Sequence, residues 1–396
     1  MANEILTIPV VLARAADRAP GDEALVTEDA RATFRELADQ ATIAAHALLA
    51  SGVRPGDRGG IWAPNCGEWV VAALGVFAAG AVLVPINTRF KGGEARYVLE
   101  RADAKLLFSV SDFLDADYIA ALRAEAPLPE LAEIVDLRGP SWHEFLARAG
   151  DEPLPAVAPE DVCSILFTSG TTGRPKGAML THEATVRAYT AWSDVVGLRA
   201  GDRYLIVNPF FHSFGLNAGI IACLLTGATI VPHAVFDVDT VMARVVQEHI
   251  SMLPGPPTVY QSILDHPRLA EFDMTSLRLA VTGAATVPVE LIRRMRADLG
   301  FETIATTCGR AIPGTEVAVV DDDGRPVPAG EPGEVVVRGY NVMQGFLDDP
   351  AATAEAIDAD GWLHTGDVAV MNDRGDIRIT DRMKEMFIVG GFNAYP

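Results

Sequence analysis

Helical and strand patterns alternate along the first half of the chain. Residues 33–50 (TFRELADQATIAAHALLA) carry apolar side chains three and four apart, which predicts a helix with Thr33 as its N-cap. RGGIWAP reads as a short strand, GEWVVAALGVFAAG as a helix, AVLVPI as a strand, GGEARYVLERA as a helix and KLLFSV as a strand. Strands separated by helices of this size indicate a parallel sheet covered on both faces. Twenty residues from Trp69 to Thr88 carry no charge, enough on length to cross a bilayer. Gly75 and Gly80 interrupt them, so the pattern predicts a helix over 67–79, a glycine stop and a buried strand over 81–85. Residues 125–162, rich in proline and acid, read as a surface connection.

A second helix/strand region follows. It comprises CSILFT, YLIVNPF, GATIVPH, a helix near 238–249, SMLPGPP, LRLAVTG and a helix at 288–299. From about 309 the texture changes to strands at close spacing joined by Asp/Gly turns: EVAVVDDDGRPV, GEVVVRG and DIRITDR. The expected fold is α/β, with two layered sheets followed by a small antiparallel, barrel-like piece. The divisions fall at 1–158, 159–308, 309–380 and 381–396.

Composition narrows the partners. The 396 residues hold 32 basic and 53 acidic side chains, a net charge of −21, which argues against a protein that coats nucleic acid. Cys66, Cys163, Cys223 and Cys308 are widely spaced, without a CxxC pair. They read as small buried hydrophobes in a reducing cytoplasm rather than as a disulfide or zinc scaffold. The start, MANEILTIPVVLARAADRAP, lacks the basic n-region and long apolar core of a secretory leader.

Candidate chemistry concentrates at Ile165–Gly177, ILFTSGTTGRPKG. A buried strand runs into a loop with three glycines, four hydroxyl side chains and two cations, Arg174 and Lys176. Glycines let backbone N–H groups turn toward an anion, and hydroxyls add short-range donors. This is phosphate-cradle chemistry, though not a Walker loop, because Gly177 follows Lys176 where Ser or Thr would stand.

The loop resembles the signature of the adenylate-forming superfamily: acyl-CoA synthetases, peptide-synthetase adenylation domains and firefly-type luciferases. Bacterial fatty-acid or steroid-acid acyl-CoA ligases are the most similar kind. Further resemblance lies in PFFHSFG (209–215), TGAA (282–285), GEVVVRG (333–339), WLHTGD (362–367) and DRMK (381–384), in the family's order. The resemblance implies a fold in which Thr168, Ser169, Gly170, Thr171, Thr172, Gly173 and Lys176 handle the pyrophosphate. Gly283, Ala284 and Ala285 would lie along the adenine, and Asp367 and Arg382 would hold the ribose. Phe211, His212, Gly215, Gly255, Thr282 and Gly283 would border the acyl pocket. Thr168, Lys176 and His212 are the implied catalytic group, and Lys384, followed by Gly390 and Gly391, marks the interdomain hinge. No metal ligand is assigned. His46, His143, His182, His233, His249, His266 and His364 are assigned no chemistry.

The implied substrates are ATP with Mg2+, a hydrophobic carboxylic acid and coenzyme A. No nucleic acid or transmembrane segment is implied, and a homodimer stays open. Two departures from the family stand out. Its Tyr-Gly-x-Thr-Glu segment, whose Thr contacts the α-phosphate region and whose Glu helps bind magnesium, is missing between Gly283 and Gly309. Gly314-Thr315-Glu316 is a decoy in the next strand. The chain also stops at Pro396, just past the hinge, so the small C-terminal domain is expected to be absent. These departures set an impaired synthetase against a degenerate, non-catalytic binder of nucleotide or acyl-adenylate. A luciferase-like oxygenase or a carrier-protein adenylation domain shares the motifs that are present.

Overall fold

The computed structural model describes residues 7–168, 174–283, 287–306, 309–382, 387–389 and 392–394, with backbone alone from Arg382 onward. Two seven-stranded sheets form its body. In chain order the strands begin with β1 (Glu23–Val26), β2 (Arg31–Thr33), β3 (Arg58–Trp62), β4 (Val82–Pro85), β5 (Ala104–Ser109) and β6 (Glu133–Asp136). The next are β7 (Val162–Thr168), β8 (Lys176–Thr181), β9 (Arg203–Ile206), β10 (Thr229–Pro232), β11 (Met252–Pro254), β12 (Leu279–Thr282) and β13 (Thr303–Thr306). Then come β14 (Thr315–Val320), β15 (Pro332–Gly339), β16 (Gly345–Phe346), β17 (Leu363–Met371) and β18 (Ile377–Arg382).

The first sheet runs β16-β8-β7-β4-β3-β5-β6 and the second β13-β12-β11-β9-β10-β1-β2. The sheets do not divide at residue 158. β1 and β2 close the second sheet, β7 and β8 extend the first, and β16 reaches back from the third region to pair with β8. From β7 to β6, and from β13 to β1, neighbouring strands are parallel.

Local chemistry explains the elements. Thr33 caps the helix Phe34–Ala50 in a full capping box with Glu36; replacing a threonine cap by alanine costs about 1 kcal/mol. The uncharged stretch forms the helix Gly67–Ala78, then Gly80 at φ +69°, then β4, all of whose residues are buried. A Cβ at Gly75 would stand 2.6 Å from that of Ala44, so glycine is what lets these two helices touch. Among the described residues no helix is long and apolar enough to cross a membrane.

Residues 125–162 correct the expectation of a plain connection. They contain β6, parallel to β5, and a helix Pro140–Leu146 whose Trp142 and Phe145 lie against Phe108 at 5.9 and 5.3 Å between ring centroids. Two aromatics in so short a helix leave no readable period.

The third region is a four-stranded antiparallel sheet, β14-β15-β17-β18. Its buried side is slight: Val319, Val320, Val335, Val336 and Ala369.

Candidate active site

Two hairpin registers place the first candidate residues. Thr168, the last residue of β7, is the antiparallel partner of Lys176, the first of β8, so the glycine-rich loop hangs from their pairing. Gly177 is buried where a Cβ would meet Ile165 Cγ2 at 2.7 Å, and this close approach keeps the hairpin narrow. Around its base, the Tyr97 hydroxyl donates to the Pro175 carbonyl (3.2 Å), Arg174 lies over the Tyr97 ring (5.5 Å), and Lys176 Nζ lies over Phe346 (5.5 Å). Asp367 on β17 and Arg382 on β18 are likewise register partners. The two residues assigned to one ribose thus occupy one rung of a ladder.

Glu334 braces that rung. One of its carboxylate oxygens accepts the Gly366 N–H (2.9 Å), and the other lies 2.7 Å from His364 Nδ1. The Thr365 hydroxyl donates to the Val335 carbonyl and accepts the Asp367 N–H, at 2.7 and 3.1 Å. With Gly366 at φ +71° and residues 365–367 of β17 bulged opposite Val335, the backbone turns just before Asp367.

The acyl-side candidates gather at the carboxyl ends of the second sheet's parallel strands, the edge where open α/β sheets bind ligands. Gly255 follows β11 and its N–H bonds the Val281 carbonyl (3.0 Å); Thr282 ends β12, and Gly283 follows. The Tyr260 hydroxyl lies 2.9 Å from the Leu253 carbonyl and 3.1 Å from that of Val281, tying the two strand ends together. Thr282 is 2% exposed, and among the described residues its buried hydroxyl has no hydrogen-bond partner.

Beyond β9, Phe210 is buried while Phe211 and His212 emerge. His212 Nδ1 accepts the Phe214 N–H (3.1 Å), and desolvation holds its imidazole below the usual histidine range. Gly215 admits no other residue, because a Cβ would sit 2.1 Å from the Pro209 carbonyl oxygen. A π-helical turn, Leu216–Ile221, follows, and Ser213 just before it meets Tyr189 Oη (2.9 Å) and Asn217 Nδ2 (3.3 Å).

Ser169, Gly170, Thr171, Thr172, Gly173, Ala284, Ala285 and Lys384 lie outside the described residues, as does Cys308. Among the described residues no three His, Cys, Asp or Glu side chains gather as a ligand set. The decoy is accounted for: Glu316 is held by Arg338 through two bonds of 3.0 and 2.9 Å, and Arg338 also lies over Trp362. Tyr97 and Tyr260 went unnoticed in the sequence, and Glu334 was seen only as part of GEVVVRG, since nothing in their local spacing advertises these partners.

The sequence profile described as AMP-binding enzyme matches residues 12–307 and 301–347. The chain belongs to this family. The resemblance to adenylate-forming enzymes of the acyl-CoA ligase kind is borne out, and ATP, Mg2+ and coenzyme A are the family's co-substrates. Among its relatives is the 3-[(3aS,4S,7aS)-7a-methyl-1,5-dioxo-octahydro-1H-inden-4-yl]propanoyl:CoA ligase of Mycobacterium tuberculosis, 46% identical over 431 aligned positions. That alignment takes in 100% of this chain and 83% of the relative. A feruloyl-CoA synthase from Amycolatopsis is 37% identical over 92% of this chain and 76% of its own.

Solved structures agree. The N-terminal domain of FACL13 from Mycobacterium tuberculosis superposes with a TM-score of 0.86 at 29% identity, covering 95% of this chain and 100% of that one. The anthranilate CoA ligase AuaEII in complex with anthranoyl-AMP gives 0.87 at 26% identity, covering 99% and 80%.

The AMP-binding profile meets this chain in two stretches that overlap at 301–307. The Mycobacterium alignment runs over 431 positions against the 396 residues of this chain, a surplus of 35.

Proposed function

We propose that the chain is an acid–thiol ligase that works in the cytoplasm on a bulky alicyclic acid, and that it turns over slowly for want of the Tyr-Gly-x-Thr-Glu segment. The acid class comes from the two ligases of 46% identity, whose names specify an octahydro-indene propanoate. The surroundings suit such an acid: Phe210, Leu216, Ile220 and Ile221 are wholly buried behind Phe211 and His212.

The reaction needs no protein nucleophile. A carboxylate oxygen attacks the α-phosphorus of MgATP, the bond to the β-phosphate oxygen breaks, and pyrophosphate leaves. The thiolate of coenzyme A then attacks the acyl carbon, and AMP departs. Two anions meet in the first step, so rate depends on positioning and charge neutralisation. Lys176, with Thr168 beside it, is placed to draw charge onto the leaving pyrophosphate. Asp367 accepts the ribose hydroxyls, and Thr282 supplies a buried hydroxyl at the carboxylate's end of the pocket.

The single observation that carries this reading is the pair of rungs, Thr168 with Lys176 and Asp367 with Arg382, in a member of this family. ATP–pyrophosphate exchange over a panel of alicyclic, aromatic and straight-chain acids tests it. We expect weak exchange, highest with alicyclic acids; brisk exchange would refute the impairment, and preference for straight chains would refute the acid class. A second reading, a non-catalytic binder of nucleotide or acyl-adenylate, is favoured by the missing segment. Calorimetric AMP binding with no exchange under any acid would select it.

A further inference from the structure

Between β3 and the helix Gly67–Ala78, Asn65 reaches from the first sheet to the second. It is 6% exposed and spends its whole amide on backbone. Its Nδ2 donates to the carbonyls of Ile206 (3.1 Å), Asn208 (3.0 Å) and His233 (3.1 Å), and its Oδ1 accepts the Phe210 N–H (2.8 Å). Two hydrogens serve three acceptors, so at least one is shared. The carbonyls belong to the carboxyl ends of two adjacent parallel strands, β9 and β10. Three residues on from Cys66, at the N-cap position of the same helix, Trp69 packs on the Phe210 ring at 5.1 Å.

We infer that Asn65 is the positioning residue of the acyl pocket, a role resting on the synthetase reading above. The chain leaves β9 with Asn208 and Phe210 pinned by one side chain, and Phe211 and His212, the next two residues, are therefore presented at one fixed height. Pinning acts on the wall that faces the acid. It does not reach the β17–β18 rung assigned to the ribose. Backbone carbonyls left without this amide lose three bonds at once, in a buried place where each unmade bond is costly. The segment then has no reason to keep its exit angle. Asparagine suits the task because its planar amide offers donor and acceptor side by side. Aspartate keeps the acceptor, loses the donors and turns a carboxylate toward three carbonyl oxygens.

Calorimetry on the full chain separates this role from bulk stability, using two probes. AMP occupies only the nucleotide side, and a non-hydrolysable 3-cyclohexylpropanoyl-sulfamoyl adenosine occupies both. For Asn65→Asp and Asn65→Ala we expect the mimic to bind at least about tenfold more weakly, while AMP stays within about twofold of wild type. Trp69→Phe, which leaves the amide bonds intact, should move the mimic in the same direction by a smaller factor. It carries the test should either Asn65 variant fail to fold. Equal losses for both probes, or none, overturn the positioning role and leave the synthetase reading standing. A wild-type chain that binds neither probe overturns that reading and this inference with it.

Discussion

The two-sheet body and the four-stranded sheet β14–β18 hold their polar groups in opposite ways. In the body, polar side chains are buried and answered from far along the chain: Asn65 by residues 206 to 233, His182 by Ile8, Glu248 by Arg31 and Arg203. In the four-stranded sheet and its loops, charges stand near water and pair at the surface, as Glu316 does with Arg338 and Arg310 with Asp376. A buried polar group left unmade is expensive, whereas an exposed pair is screened and worth little. The proposed acyl side of the site is thus built into the core, while the proposed ribose side rests on a thin sheet whose geometry depends on register and on Glu334.

The largest effect should follow from breaking the buried side. Gly215→Ala would drive a methyl group to 2.1 Å from the Pro209 carbonyl oxygen and 2.6 Å from that of Asn208, both backbone atoms that Asn65 and the strand ends hold in place. Overpacking of this kind costs about 3 kcal/mol or more, because no flexible side chain can yield. Urea denaturation at neutral pH should show the loss, together with failure to bind the acyl-adenylate mimic. A wild-type midpoint would mean that the segment is free to shift, and the contrast between the two regions would fall.

His182 gives the body a pH dependence of its own. It is 1% exposed, accepts the Ile8 N–H through Nδ1 (3.2 Å), and burial pushes its pKa down to about 4, with Asp161 acting weakly the other way. Between the ordinary histidine pKa near 6.5 and that value, the unfolded chain takes up a proton that the folded chain refuses. Stability from this group is therefore complete above pH 6.5 and is lost as pH falls toward 4, by about 3 kcal/mol in all. His182→Gln keeps an acceptor and cannot titrate. Its urea midpoint should change less than wild type's between pH 7 and 4.5; identical slopes would place the titration elsewhere.

The same contrast explains what could be read from the sequence. Thr33 as a cap, the helix ended at Gly80 and the Asp/Gly-turned strands are local signals, and each appears where the pattern predicts. Motif residues followed too, because Thr168 and Lys176, or Asp367 and Arg382, are brought together by hairpins. Asn65 was invisible, since its partners lie 141 to 168 residues away and no period links them. The exchange of strands between the sheets escaped notice for the same reason, and the helix Pro140–Leu146 because proline and acid around it masked two buried aromatics.

The thin sheet should show small and local effects, with one exception that sharpens the point. Glu334→Ala removes a charged acceptor from both Gly366 N–H and His364, bonds worth about 1–2 kcal/mol together. If the turn before Asp367 depends on them, AMP binding should weaken by up to about tenfold while the fold survives. Glu316→Gln, one strand further out, should do neither. Its carboxylate sits in solvent with Arg338 beside it, which lowers its pKa without committing it to a ligand. The melting temperature and the magnesium dependence of nucleotide binding should both match wild type. A changed magnesium requirement in Glu316→Gln would show that Gly314-Thr315-Glu316 has taken over from the missing Tyr-Gly-x-Thr-Glu, and that the exposed sheet reaches further into the chemistry than its geometry implies.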